Sequence, residues 1–244
     1  MPIINNGTDN KIDFFCNDQN LVDKLDIKIN GNRNKIKFLG KINGQGKIKI
    51  NLIASDCSIT LGRDIIISRG INISIIPAGG GFPATDCHVN INDRVLLNGV
   101  SNFLLAESGN TISIGADCIV GNNVNFLTSD SHPIYDLYTN KRLNHSSSIF
   151  IENKVWVANN VHFMKKSHIP SGSIIGAHSV VAKKFNKPNV VIAGNPARII
   201  RKNVKWKLKF EPEDSVHCAS ISSKILLLLE YIKSNFKITR LHRN

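Results

Sequence analysis

Cysteine is scarce and scattered: Cys16, Cys57, Cys87, Cys118 and Cys218 contain no CxxC pair and are odd in number, so neither a disulfide framework nor a metal site is expected. Aromatics are also few. Three tyrosines and two tryptophans among 244 residues are a poor stock for stacking bases, which argues against nucleic acid as a partner. Long apolar runs are missing: the longest aliphatic stretch, Ile225 to Leu229, is far too short to cross a bilayer. The opening MPIINNGTDNKIDFF lacks a basic region, an apolar run and a small-residue cleavage site, which predicts a cytoplasmic protein. Acidic residues are outnumbered, 18 Asp and Glu against 31 Lys and Arg, and the net charge of +13 attracts something anionic without naming it. With 42% of residues hydrophobic, wholesale disorder is excluded and a large core is affordable.

What is present is a repeat. From Ile151 a step of six meets Val157, Phe163, Ile169, Ile175 and Val181, all apolar, while Val155, Val161, Ser167, Ser173 and Ser179 form a second column of small or β-branched residues. The same phase occurs at Leu61, Ile67, Ile73, at Ile91, Leu97, Phe103, and at Ile114, Val120, Phe126. A period of six fits neither an α-helix nor a meander of hairpins. It fits an all-β solenoid whose short parallel strands stack coil on coil with the apolar column inward.

The organisation follows from where the step fails. Residues 1–50 are read as irregular N-terminal coils, 51–202 as the solenoid, and 203–244 as a basic tail whose segment 220–238 has helical spacing. A break at Pro77 to Pro83, rich in Gly and Pro, is read as a bulge. The larger break, 127–148, is long enough to point to function. His132 falls six residues after Phe126, in the slot of an aliphatic anchor, so the chain leaves the coil there.

The units Ile114-Gly115-Ala116-Asp117, Val120-Gly121-Asn122-Asn123 and Ile175-Gly176-Ala177-His178 resemble the hexapeptide-repeat acyltransferases. That resemblance implies a left-handed parallel β-helix, because spacing does not fix the hand. Ser131-His132-Pro133-Ile134-Tyr135, Arg142-Leu143-Asn144-His145, Val155-Trp156-Val157 and Val191-Ile192-Ala193-Gly194-Asn195-Pro196-Ala197 are similar, more narrowly, to the O-acetyltransferases of sialic-acid-containing bacterial capsules. The narrower match covers roughly residues 105 to 205.

The resemblance implies a role for each matched position. His132 is the general base, which suits an imidazole at cellular pH, and Trp156, outward by strand alternation, lies beside it in the site. Ala158, Asn159, Gly176, Ala177 and Ala182 would line the pantetheine arm of acetyl-CoA, and Lys183, Arg198 and Arg201 would meet its phosphates. The family often has Gly where Ala158 stands, and the capsule enzymes an aromatic where Ala182 stands. Tyr135, Lys141, Arg142 and His145 of the excursion would shape the acceptor site of a homotrimer, whose active sites lie between neighbouring β-helices. Asp130 is a candidate to orient the imidazole. A backbone N–H near Ala158 is expected to meet the oxyanion, and no Ser-His-Asp or Cys-His constellation suggests an acyl-enzyme.

Three functions are compatible with these residues. One is O-acetylation of an acidic capsular or surface polysaccharide, another is acetylation of a small nucleotide-linked sugar, and the third is a non-catalytic binding solenoid. In the tail, Ile221, Ile225, Leu228, Leu229 and Ile232 among lysines suit either a cap on the solenoid or peripheral contact with the inner membrane.

Overall fold

The structure, a computed structural model, describes residues 3–16 and 18–209. The expected tail helix and Cys218 lie outside the described residues. Contacts divide the chain into Met1–Lys205, which holds the solenoid, and Trp206–Asn244. No helix among the described residues is long and apolar enough to span a membrane.

The solenoid is a left-handed parallel β-helix of three sheets with eight, seven and eight strands. From Leu25 to Ile175 each turn contributes one strand to each sheet, as in Val100–Leu105, Thr111–Ile114 and Ile119–Val120. Every pairing is parallel except the last, where Val190–Gly194 meets Ala197–Lys202 antiparallel. The six-residue anchors are the core: Val157, Phe163, Ile169, Ile175 and Val181 are fully buried, as are Ser173 and Ser179 of the second column. Phe103, Phe126 and Phe163 stack through successive coils with ring centroids 4.7 and 4.9 Å apart.

The corners explain two further features of the sequence. Three residues after many of the anchors the backbone turns left-handed, and Asp64, Asp117, Asn123, Asn160 and His178 all have φ between 55° and 61°. Asn and Asp tolerate that region best among residues with a side chain, which suits them to these corners. The glycine after an anchor permits close stacking: a Cβ on Gly115 would lie 2.5 Å from the Glu152 carbonyl carbon. Side chains also ladder between coils, as in Asn72–Asn102–Asn125 and the bidentate Arg94–Asp117 pair.

Coil length is not constant. Bonds between adjacent coils span 23 residues at Arg33–Asp56, 30 at Ser58–His88, 37 at Asn122–Asn159 and 18 at Asn160–His178. Before Leu25, the passage from Phe14 to Ile27 carries one extra residue at the short helix Gln19–Val22; from Leu25 onward the excess sits at one corner, where the chain passes from the first sheet to the second. There Ile27 to Phe38, Ile50 to Leu61 and Phe103 to Ile114 are eleven apart, while the other two corners keep the step of six. Residues 25–52, expected to be irregular, run in register with the later coils. Both the Pro77–Pro83 break and the 127–148 excursion emerge at this same corner.

Candidate active site

The excursion is an ordered hairpin. Tyr135 bridges Arg142, and the Leu143 N–H donates to the Ile134 carbonyl at 2.8 Å. Asp136 closes the turn by accepting from the Thr139 N–H and hydroxyl at 2.7 and 2.8 Å; these bonds hold its carboxyl below the usual carboxylate range. At the tip Tyr138 is 91% exposed. Lys141 and His145 are exposed as well.

His132 stands exposed at the root of the hairpin, and Asn144 clamps its backbone from both sides. The Asn144 side-chain amide donates to the His132 carbonyl at 2.8 Å, and its oxygen accepts the Ile134 N–H at 2.6 Å. The same amide donates to Asp130 at 2.8 Å, and the Lys165 ammonium bridges Asp130 and the Asn144 carbonyl. Asp130 is therefore engaged with Lys165 and Asn144, and it does not hydrogen-bond the imidazole. Burial alone would raise its pKa; the two donors outweigh burial and hold it below the usual value.

The Pro77–Pro83 segment is more than a bulge. The Gly79 N–H donates to the Ser131 carbonyl at 2.9 Å, and a Cβ on Gly79 would stand 3.0 Å from the His132 Nδ1. A side chain at Gly79 would crowd the imidazole and the Ser131 carbonyl. Between this segment and the hairpin lies a cavity of about 290 Å³ lined by Phe82, Glu107, Ser131, Tyr135, Arg142 and His145, among others.

Arg142 was expected to meet the acceptor, but its guanidinium is used internally. It forks onto the Glu107 carboxylate at 2.8 and 2.9 Å, with the Phe82 ring 5.9 Å away. Glu107, only 5% exposed, also accepts from the Ser129 hydroxyl at 2.6 Å. Burial pushes its pKa up, and the bonds from Arg142 and Ser129 outweigh that, leaving it lowered. Sequence reading missed Glu107 because it lies inside an eleven-residue step that a scan at period six passes over.

The remaining expected residues divide between two regions of the solenoid. Trp156, 42% exposed, lies in the third sheet, the one that does not adjoin the corner bearing His132. Ala158 and Gly176 stack on successive coils at the edge of that sheet, with Asn159 and Ala177 beside them, and Arg198 and Arg201 lie on its last strand. Ala182 and Lys183 instead follow the last strand of the first sheet, at the same corner as His132, and the Lys183 ammonium sits 5.3 Å from the centre of the Phe185 ring. Within one chain, then, His132 and Trp156 are not brought together. Two refinements concern backbone and side-chain donors. The Ala158 N–H is given to the Ile175 carbonyl, so Ala158 itself offers no free oxyanion donor, and the Asn159 side-chain oxygen accepts the Asn122 N–H.

A Ser-His-Asp chain does exist, contrary to the reading of the sequence. The Ser58 hydroxyl is 2.8 Å from the His88 Nδ1, whose Nε2 is 3.2 Å from Asp86. It lies outward on the second sheet, where the Cys57, Ser58, Cys87 and His88 amides are all hydrogen-bonded. No pair of free N–H groups there could hold an oxyanion, so this chain reads as a surface ladder. Among the described residues no cluster of His, Cys, Asp and Glu could hold a metal ion.

Comparison with known proteins gives this geometry a context. No family model matches the sequence. The chain is 30% identical over 189 residues to a polysialic acid O-acetyltransferase of Escherichia coli O1:K1, a match covering 76% of this chain and 51% of that protein. It is 30% identical over 181 residues to a 24.8 kDa protein in the cps region of Klebsiella pneumoniae, covering 74% and 75% of the two chains. Among solved structures, the polysialic acid O-acetyltransferase OatWY superposes with a TM-score of 0.58 at 25% identity, covering 87% of this chain and 94% of that one. The chain spans about half the length of the polysialic acid O-acetyltransferases it matches in sequence.

Proposed function

The chain belongs to the hexapeptide-repeat acyltransferases of left-handed β-helix fold, and from that premise we propose that it carries an acetyl group from acetyl-CoA to a hydroxyl of an acidic capsular or surface polysaccharide. The observation that carries the proposal is His132, exposed at the root of an ordered excursion and held there by Asn144, in a chain related to polysialic acid O-acetyltransferases. The imidazole takes the proton of the acceptor hydroxyl as its oxygen attacks the thioester carbonyl. The C–S bond then breaks, and the protonated imidazole returns the proton to the departing thiolate. Transfer is direct, with both substrates bound.

The two regions of candidate residues are reconciled by a second copy. His132, Ala182 and Lys183 on the corner of one subunit would face Trp156, Ala158, Gly176, Ala177, Arg198 and Arg201 on the third sheet of its neighbour, as in a trimer. Small residues on that sheet admit the pantetheine arm close to the backbone, and the arginines suit phosphates. The acceptor lies under the hairpin, and the +13 charge attracts a polyanion.

The test is thiol release from acetyl-CoA with a panel of acceptors: acidic capsular polymers of several lengths, a neutral polymer and nucleotide-linked sugars. Transfer to acidic polymer, improving with length and weakening from low to physiological salt, is the expected result. Transfer confined to a nucleotide-linked sugar, or no acetyl transfer at all, overturns the proposal.

A further inference from the structure

We propose that Glu107, one coil away from the excursion, is a positioning residue for the His132 imidazole, acting through Ser129 on one side and through Arg142 and Asn144 on the other. The inference rests on His132 being the base.

Glu107 has φ +69°, a left-handed backbone that a glutamate adopts at some cost, and this turn lies at the corner beneath the hairpin. Its carboxylate is almost sealed from solvent and is divided between two tasks. Oε1 accepts the hydrogen bond of the Ser129 hydroxyl at 2.6 Å, which leaves the Ser129 oxygen to accept the Ser131 N–H at 3.0 Å. A serine hydroxyl has one proton, so committing it to Glu107 fixes which way that oxygen can accept. Ser131 is itself left-handed, φ +63°, and its carbonyl receives the Gly79 N–H. The residue before His132 is thus held at its N–H by a chain of bonds that begins at Glu107 and at its carbonyl by Gly79.

The second arm runs through Arg142. Its fork is seated on both Glu107 oxygens, and Nη2 also donates to the Asn144 carbonyl at 3.3 Å. Asn144 in turn holds the His132 carbonyl and the Ile134 N–H. The two arms therefore reach His132 from either side. Lys165 supports Asp130 and Asn144 from the coil below, but it leaves Ser129 and Arg142 untouched. Replacing the carboxylate by an amide keeps the shape and removes the charge. Of the three donors it now satisfies, either the Arg142 Nη1 arm or Ser129 together with the Nη2 arm would then face an NH2 group. That is a fraction of an ångström of freedom at the imidazole, where a misplacement of about 1 Å costs on the order of a hundredfold in rate.

The experiment is a double-mutant cycle in the full chain with wild type, Glu107→Gln, His132→Ala and the double variant, read as kcat and as KM for acetyl-CoA, together with the His132 imidazole 1H–13C NMR signal. The expected result is a kcat roughly tenfold to a hundredfold lower for Glu107→Gln with KM for acetyl-CoA within about twofold. The imidazole signal shifts, and no further loss appears when the change is made in the His132→Ala background. Losses that multiply in the double variant, or an unshifted imidazole signal, overturn the proposal. If Glu107→Gln does not fold, Ser129→Ala breaks one arm without burying a new charge and is put through the same cycle. Failure of the underlying reading has a separate signature: His132→Ala itself keeps its activity.

Discussion

Replacing Gly79 by alanine isolates the contact between the Gly-rich loop and the candidate base. The new methyl would lie 2.8 Å from the Ser131 carbonyl oxygen, 3.0 Å from the His132 Nδ1 and 3.2 Å from its Cε1, against about 3.4 Å for an ordinary contact. The ring or the 130–132 backbone must therefore yield by about half an ångström; taking on the order of a hundredfold per ångström of misplacement, kcat should fall about tenfold. Gly79 does not use a left-handed φ, so alanine there suffers no backbone strain. It also restricts the unfolded chain, a gain of up to about 0.4–1 kcal/mol that works against the cost of the clash. The melting temperature should stay within about 2 °C while turnover drops. Gly80 is the control, with open space around its Cβ but φ +77°; Gly80→Ala should lower stability by about 1–2 kcal/mol and affect turnover less. Steady-state kinetics and calorimetry on both variants decide the matter. Full activity in Gly79→Ala would refute the idea that this loop seats the histidine.

His132→Ala should lose roughly a hundredfold to ten-thousandfold in rate with an unchanged melting temperature, because the residue lies outside the packed column. Trp156→Ala should likewise lose turnover, and dissociating and reassembling the two inactive proteins together should restore part of the activity if each site draws on two subunits; no recovery from verified mixed assemblies counts against shared sites. Phe126→Ala, which removes a fully buried ring stacked on both faces, should cost about 5 kcal/mol, the upper end for such a truncation, read by urea unfolding. The lowered pKa values of Glu107 and Asp130 mean that the folded state binds fewer protons than the unfolded one. Their contribution is present above about pH 4.3, the ordinary glutamate value, and is lost as pH falls through the folded values. Urea midpoints measured from pH 7 down to pH 3 should therefore fall less steeply in Glu107→Gln than in the wild type, and parallel curves would deny the carboxylate that role.

The run from Ile151 to Val181 was legible because its coil holds 18 residues, three steps of six without interruption. Earlier coils hide the same geometry. An eleven-residue passage between Phe103 and Ile114 is not a multiple of six, so the phase resets on every turn and each coil shows only three anchors before the pattern slips. Residues 25–52 suffer most from this and read as irregular although they are in register. His132 was legible for the opposite reason, a polar residue in an aliphatic slot. Glu107, Asn144 and Lys165 carry no such mark; their roles arise from contacts between residues 10 to 35 positions apart. Nor does a run of glycines reveal whether it is slack or pressed against a ring, which is why Pro77 to Pro83 passed for a bulge.

Confining the length changes after Leu25 to one corner gives the fold a single editable seam. Lengthening that passage from eleven residues, Phe103 to Ile114, to twenty-five, Phe126 to Ile151, leaves the register of all three sheets intact. Loop-closure entropy for such a change is under about 1 kcal/mol, since each doubling of length costs roughly 0.6. A lineage could thus trial new acceptor-binding hairpins at the seam while the two six-residue corners and the aromatic column preserve the scaffold. For the engineer the same seam marks where a foreign loop can be grafted, and where an insertion of the same size would instead break the helix.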